Sequence, residues 1–544
     1  MAAITHALVW LAWLTTAGSA GPAVVVVVGE LFRDLLTVPR MDGGRTCLRD
    51  TSRSRKKRAN APWLRQSYPT LRELRETMLS EASVFNASLR HCLPHGLGPP
   101  NLCVQGTRKR PRLFDQFSLE VVLLTRWLQE APICRPDEGS CGAHMVIVPS
   151  LIFHHTVAVG RSWSWKYCMT APLAAEYWRR VAFRYFTPGT AGPLIVVPES
   201  YAWFSQSSFI LLRALSLMPA EFRARVCILT TMSNQQQAFR RLAGFGQPWQ
   251  SGAEAELQRR VRLQQERARL SALGTLDART ALALLPTAPL MITVPTPVGV
   301  FQHDLRWDLS WASSADYNPR LRTISLLWSA DLSRNGEEHT LLVTKASNVR
   351  NRLSSALARA NAICSGDRSR CVKCAPHAPL CASVPKSTFK DTARSALCIE
   401  PPGDTLGRSH AFVALLTGCI PVLVEGGHPA YPEEEPTWWP WRAAPGISGD
   451  TSPLRGLTLD YSAFSLLPDG GGSNNSDAAT RVVSESAELA ADEQRLSRMR
   501  AELARVAPLF VYARRRPPVG APDDAFERLR QTLAAVLRVH RLAI

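Results

Sequence analysis

No lysine or arginine occurs before Arg33, and no repeat of fixed period runs through the chain. The first absence leaves the apolar run at residues 4–28 without the flanking positive charge that orients a type II membrane anchor. The second removes solenoids, propellers and other repeat arrays from the candidate folds. Acid is scarce as well: 45 Asp plus Glu stand against 64 Lys plus Arg in 544 residues, a formal net charge of +19. Single cores rarely grow beyond about 250 to 300 residues, so this length favours two main domains.

What is present at the N-terminus has two readings. The run "ITHALVWLAWLTTAGSAGPAVVVVV" is long enough to span a bilayer at about 1.5 Å per residue. It also places Gly18 and Ala20 where a signal peptidase would cut before Gly21. Cleavage is the favoured reading and an uncleaved anchor its alternative; both deliver the remainder to the secretory lumen. There, most of the 13 cysteines would pair and the odd count leaves at least one free. Sequons at Asn86 and Asn474 are compatible with glycosylation in that compartment.

The positive charge is concentrated. Residues 40–112 hold 16 Lys plus Arg against 5 Asp plus Glu, an excess of 11. "RSRKKR" at 53–58 and "RKRPR" at 108–112 mark a basic stem, which is either a solvated spacer or a surface for acidic glycan or membrane headgroups. The basic tetrad at 55–58 also fits a processing site.

Beyond the stem, helix and strand patterns alternate. Helical spacing at 114–129 precedes a short apolar strand at 143–150; a helix at 173–186 precedes a strand at 192–200; further strands are expected at 225–232 and 290–299, around a charged helical stretch at 251–285. A second half opens with a strand at 322–330 and a helix at 348–361. After a cysteine-rich loop it continues as strand 396–401, helix 407–417 and strand 420–425. Fully apolar strands alternating with helices imply mainly parallel sheets covered on both faces, hence two Rossmann-like domains. A closing helix at 522–540 places Phe526, Leu529, Leu533, Val536 and Leu537 on one face, with Asp523 and Asp524 at the start, where the helix dipole favours acids.

The chemistry-bearing segment is "ALCIEPPGDTLGRSHAFVALLTGCIPVLVEG". Pro401, Pro402 and Gly403 end a strand, and Asp404 or Thr405 can cap the helix whose unpaired N–H groups would receive a diphosphate. Arg408 and His410 add positive charge in the first turn. Glu425 falls at the C-terminal end of the next strand, the edge where open α/β sheets bind ligands, or is simply the first exposed residue after it.

These residues resemble the signature of the exostosin-type glycosyltransferases, glycosyltransferase family 47: Ser-x-Phe-Cys-Leu-x-Pro-x-Gly-Asp-(Ser/Thr), an Arg-bearing helix, then Gly-Cys-Ile-Pro-Val. "QFSLEVVLLTRWLQEA" with "AHMVIVPS", then "TLDYSAFSLLP" and "PLFVYARR" followed by "DDAFERLRQTL", extend the resemblance in order over residues 113–537. Three departures stand out. His410 and Val413 occupy the positions of a family Arg and Asp, the Gly-Gly-Arg-Asp-His segment before the second strand is missing, and a longer insert follows the signature.

The resemblance implies a GT-B scaffold of two Rossmann-like domains facing a cleft, and inverting transfer of a sugar from a nucleotide-sugar, expected to be a UDP-sugar, to a polysaccharide or glycoprotein glycan. It divides the chain into a leader or anchor (1–28), the stem (29–112), an acceptor domain (113–310), a donor domain (311–520) and a C-terminal helix (521–544). No Asp-x-Asp triplet occurs anywhere, so a metal-dependent GT-A domain is not expected and no cofactor or metal is required. Expected donor contacts are Gly403, Arg408, Ser409, His410, Glu425, Arg350 and Arg352; Glu199, at the end of "LIVVPE", is the candidate catalytic base or a strand-end surface acid. Expected partners are the nucleotide-sugar, the glycan acceptor, a membrane if the anchor is retained, and a hetero- or homo-oligomeric copy, with no nucleic acid. The expected location is the Golgi lumen or membrane, with secretion as the alternative. An inactive exostosin-like partner and a secreted basic glycan-binding protein are the rival functions.

Three other features carry open readings. Cys364, Cys371, Cys374 and Cys381 suit disulfides in an oxidising lumen, or zinc. Trp438, Trp439 and Trp441 offer faces for sugar stacking or for packing the insert. His154 and His155 lack a matching ligand set.

Overall fold

The computed structural model describes residues 25–27, 119, 123, 126–127, 144–148, 171–190, 192–199, 206–231, 252–277, 280, 284, 286, 289–296, 323–326, 352–353, 355–357, 359, 381–383, 395–401, 409–424, 439–442, 453–468, 476–512 and 522–542. Two wholly parallel sheets organise them.

The first sheet runs in the order β1 (Val25–Val27), β2 (Met145–Ile147), β3 (Leu194–Glu199), β4 (Val226–Thr230), β5 (Leu290–Thr293). Its residues from β2 to β5 are fully apolar except at their C-terminal ends, as a sheet covered on both faces requires. The pleat sorts them. Val146, Ile195, Val197 and Ile228 pack against α1 (Ala171–Tyr185), α2 (Gln206–Ser216) and α3 (Ala220–Ala224). Ile147, Val196, Leu229 and Ile292 face the other way, toward Leu119, Leu123 and Trp127, Leu257 of α4 (Gly252–Ala272), and the C-terminal helix.

The charged stretch expected to be helical to 285 is interrupted: α4 ends at Ala272, where Gly274 adopts φ 68 and the Thr275 N–H turns back to the Leu270 carbonyl, and Thr280 is helical again, its carbonyl accepting from the Leu284 N–H at 3.0 Å. Strand β5 likewise stops at Thr293, ahead of Pro295. Strand β1 comes from the apolar run at 4–28 and lies on the sheet's edge, parallel to β2. Cleavage before Gly21 would leave it in the chain. Among the described residues, no helix is long and apolar enough to cross a membrane.

The second sheet runs β7 (Cys381–Ser383), β6 (Thr323–Leu326), β8 (Leu397–Glu400), β9 (Ile420–Leu423), with α5 (Ser409–Leu416) linking the last two. A helical hairpin, α6 (Ser476–Ala491) and α7 (Glu493–Val506), follows, with Asp492 capping α7 by accepting from the Arg495 N–H at 2.8 Å. Helix α8 (Ala525–Leu542) closes the fold, burying Phe526, Leu529, Leu533, Val536 and Leu537 as their spacing requires.

One continuous hydrophobic core joins both sheets. Specific polar contacts fix the join: Tyr512 donates to the Pro295 carbonyl at 2.9 Å, and Gln264 of α4 donates to the Val539 carbonyl of α8 at 2.8 Å. The chain is therefore an α/β protein of parallel sheets, compatible with Rossmann-like folding.

Candidate functional site

The signature segment folds as a β–α–β unit. Strand β8 pairs with β9 in parallel register, Leu397 opposite Ile420 and Glu400 opposite Leu423. Because α5 runs back between them, its first residues, Ser409 and His410, stand at the sheet edge where both strands end. The backbone N–H groups of the first turn of such a helix have no intrahelical partner and carry partial positive charge.

The far end of α5 is tightly specified. Gly418 takes φ 77, and the Cys419 N–H reaches the Ala414 carbonyl at 3.0 Å, closing a Schellman turn. Thr417 adds a hydroxyl bond to the Val413 carbonyl at 2.9 Å. A disulfide joins Cys398 of β8 to Cys419, with Cα atoms 5.8 Å apart, and packs against Ala414 beneath the helix. The two cysteines of the signature thus tie the strand before the helix to the strand after it.

Residues 411–416 of α5 are buried on every side. Phe412 meets Trp439 at 6.4 Å and Phe510 at 6.0 Å between ring centroids. Val413 is a core residue. The insert is anchored into the same core: Trp439 packs on Tyr461, and Trp441 donates from Nε1 to the Leu509 carbonyl at 3.1 Å. Of the two open readings of these tryptophans, Trp439 and Trp441 take packing; Trp438 lies outside the described residues.

In the first sheet, Glu199 is the last residue of β3, in register with Thr230 of β4, which is itself in register with Thr293 of β5. This row marks the C-terminal edge, where the candidate base was expected. Buried polar residues continue along it at Thr231 and Thr296, and the Thr296 hydroxyl is buried without a hydrogen-bond partner among the described residues. Tyr512 docks beside it, its phenol pushed well above the ordinary tyrosine range by burial and then by the nearby Asp524 carboxylate.

Arg352 is helical and exposed, next to buried Leu353, Ala356 and Leu357. Gly403, Arg408, Glu425 and Arg350 lie outside the described residues, as do Asn86, Asn474, the stem, His154, His155, Cys364, Cys371 and Cys374. Cys381 begins β7. Among the described residues no group of three His, Cys, Asp or Glu side chains converges as a metal set.

One acid in the signature was not singled out from the sequence. Glu400, at the C-terminal end of β8, is only 7% exposed. Its signal was its register: it ends the apolar strand one residue before Pro401, on the edge shared with Ser409. No model of a known protein family matches the chain, and no curated protein matches it.

Proposed function

We propose that the chain is an inverting glycosyltransferase of exostosin type, which moves a sugar from a nucleotide-sugar, first among them a UDP-sugar, to a polysaccharide or glycoprotein glycan in the Golgi lumen. The observation that carries this reading is the β8–α5–β9 unit. It has parallel strands ending at one edge, a helix N-terminus at that edge, and the signature's two cysteines joined beneath the helix.

On this reading the two parallel sheets are the cores of acceptor and donor lobes, with α8 returning from the second to cover the first. The acceptor hydroxyl oxygen attacks the anomeric carbon while a carboxylate, with Glu199 the candidate, takes its proton. The bond from that carbon to the diphosphate oxygen breaks, and configuration inverts. The leaving diphosphate is stabilised by the α5 N–H groups and Arg408, with Gly403 allowing close approach. Ser409, Glu425 and Glu400 are the candidates to hold sugar or ribose hydroxyls, with His410, Arg350 and Arg352 as further donor contacts. Charge stabilisation of this kind needs no divalent ion.

A second reading has one observation in its favour. Val413 places a buried aliphatic side chain where the family has a carboxylate, as an inactive partner protein would tolerate. Hydrolysis of a panel of UDP-sugars by the parent chain, Arg408→Ala and Glu425→Ala separates the two. Turnover by the parent that both variants lose supports the enzyme. Nucleotide binding without turnover supports the inactive partner. Glycan binding through residues 40–112 with no nucleotide binding excludes both.

A further inference from the structure

A cavity lies at the opposite edge of the first sheet. Its walls come from the residues that precede β3, β4 and β5, from the middle of α4 and from the end of α8, and it encloses about 100 Å³. This is the N-terminal edge of the strands, away from the row at Glu199, Thr230 and Thr293. The donor chemistry makes no use of it.

The cavity is basic. Arg225, Arg260 and Arg267 line it, together with Glu221 and His540. The charge of Arg260 is already matched, since its Nε meets Glu256 at 3.0 Å and its Nη1 donates to the Ala224 carbonyl at 2.8 Å. Arg267 has no hydrogen bond or ion pair among the described residues.

Arg225 is the unusual residue. It is 4% exposed, donates from Nη2 to the Thr190 carbonyl and lies over the Phe186 ring at 4.9 Å, yet its buried Nη1, which lies against Gly192, has no hydrogen-bond partner among the described residues. Glu221 is the nearest compensating acid, and it is engaged by the Gly189 N–H at 3.3 Å. Burial lowers the Arg225 guanidinium below its ordinary range, and Glu221 offsets only part of that. An orphaned guanidinium N–H is costly unless something meets it.

We propose that this cavity binds a tetrahedral oxyanion, the phosphate or sulfate group of a small ester. Arg225 and Arg267 both line it, and Gln264 is held beside them by its bond to the Val539 carbonyl. A guanidinium meets two oxygens of such a group in one plane, which an ammonium cannot do. Leu257, Val536 and Val539 supply an apolar side for the body that carries the ester. The volume equals that of about three waters, enough for one such group. His540 ties α8 to the sheet through its contact with the Gly192 carbonyl at 3.2 Å, so occupation would also brace the C-terminal helix.

The test is calorimetric titration of the full chain with sodium phosphate and, separately, sodium sulfate, against sodium chloride at matched ionic strength. Saturable binding of one or both oxyanions is expected, and the stronger arm identifies the ester. Arg225→Gln and Arg267→Glu should each weaken it by about tenfold or more, as loss of a charged hydrogen bond does. If Arg225→Gln fails to fold, Arg267→Glu, on a partly exposed helical position, decides alone. Binding no stronger than chloride, or binding unchanged in the folded variants, overturns the proposal. UDP binding measured beside it should be unaffected by Arg267→Glu, which keeps this site distinct from the donor edge.

Discussion

Arg126 and Asp524 meet at 2.9 Å with side chains 1% and 3% exposed, across 398 residues of chain. The Arg126 guanidinium also lies over Phe526 at 4.6 Å, while the second Asp524 oxygen accepts from the Glu527 N–H at 2.8 Å and starts α8. One acid thus caps the closing helix and bolts it to the helical segment beside the first sheet. Asp524→Asn keeps a capping oxygen but leaves Arg126 without its carboxylate, and should cost about 3 kcal/mol. Urea unfolding measures it, and adding Arg126→Met should recover much of the loss. A cost within about 0.5 kcal/mol would show the pair to be idle.

Gly418 sits at φ 77, a conformation that glycine takes without the Cβ penalty. Gly418→Ala should lower stability by about 1 kcal/mol while leaving the Cys419 to Ala414 turn in place. Denaturant titration with unchanged slope is the expected result. No change would mean that the turn does not define the end of α5.

The Cys398–Cys419 disulfide closes a loop spanning a sequence separation of 21. Removing the link should cost about 3 kcal/mol, chiefly through the freedom returned to the unfolded chain. Cys398→Ala with Cys419→Ala, followed by thermal unfolding, tests this. UDP binding should weaken with it, since the link holds β8 and β9 beneath α5.

Cys227 is free and fully buried in β4, and burial pushes its thiol from the ordinary 9.0 up to about 12. The folded state therefore keeps a proton that the unfolded chain gives up. Its contribution is complete below about pH 9 and is lost as pH rises toward 12. Stability measured by urea across that window should fall, and Cys227→Ala should reduce the slope. Thiol-labelling reagents should modify Cys227 only on unfolding.

Much of this architecture was legible because its signals are local. Strands β2, β3, β4, β8 and β9 are short runs, apolar up to their C-terminal ends, and α8 shows its buried face in the spacing from Phe526 to Leu537. Strand β1 was hidden because Val25, Val26 and Val27 lie in a run equally suited to a leader or a bilayer. The α6–α7 hairpin was not read, although Asp492 and the spacing of Leu496, Met499, Leu503 and Val506 signal it. The β8–α5–β9 arrangement was legible from the apolar strands and the helix between them, but no contact at its edge was. The roles of Trp439 and Trp441 depended on Tyr461 and Leu509, far along the chain. The cavity around Arg225 is built from five separate segments, which no local pattern brings together.

The central claim is that the β8–α5–β9 edge holds a nucleoside diphosphate without a divalent ion. Titrating UDP into the full chain in the presence of a chelator tests it most directly. Saturable binding is expected, weakened about tenfold or more in Arg408→Ala, as loss of a charged phosphate contact entails. An absence of binding at millimolar UDP, or equal binding by parent and variant, would contradict it.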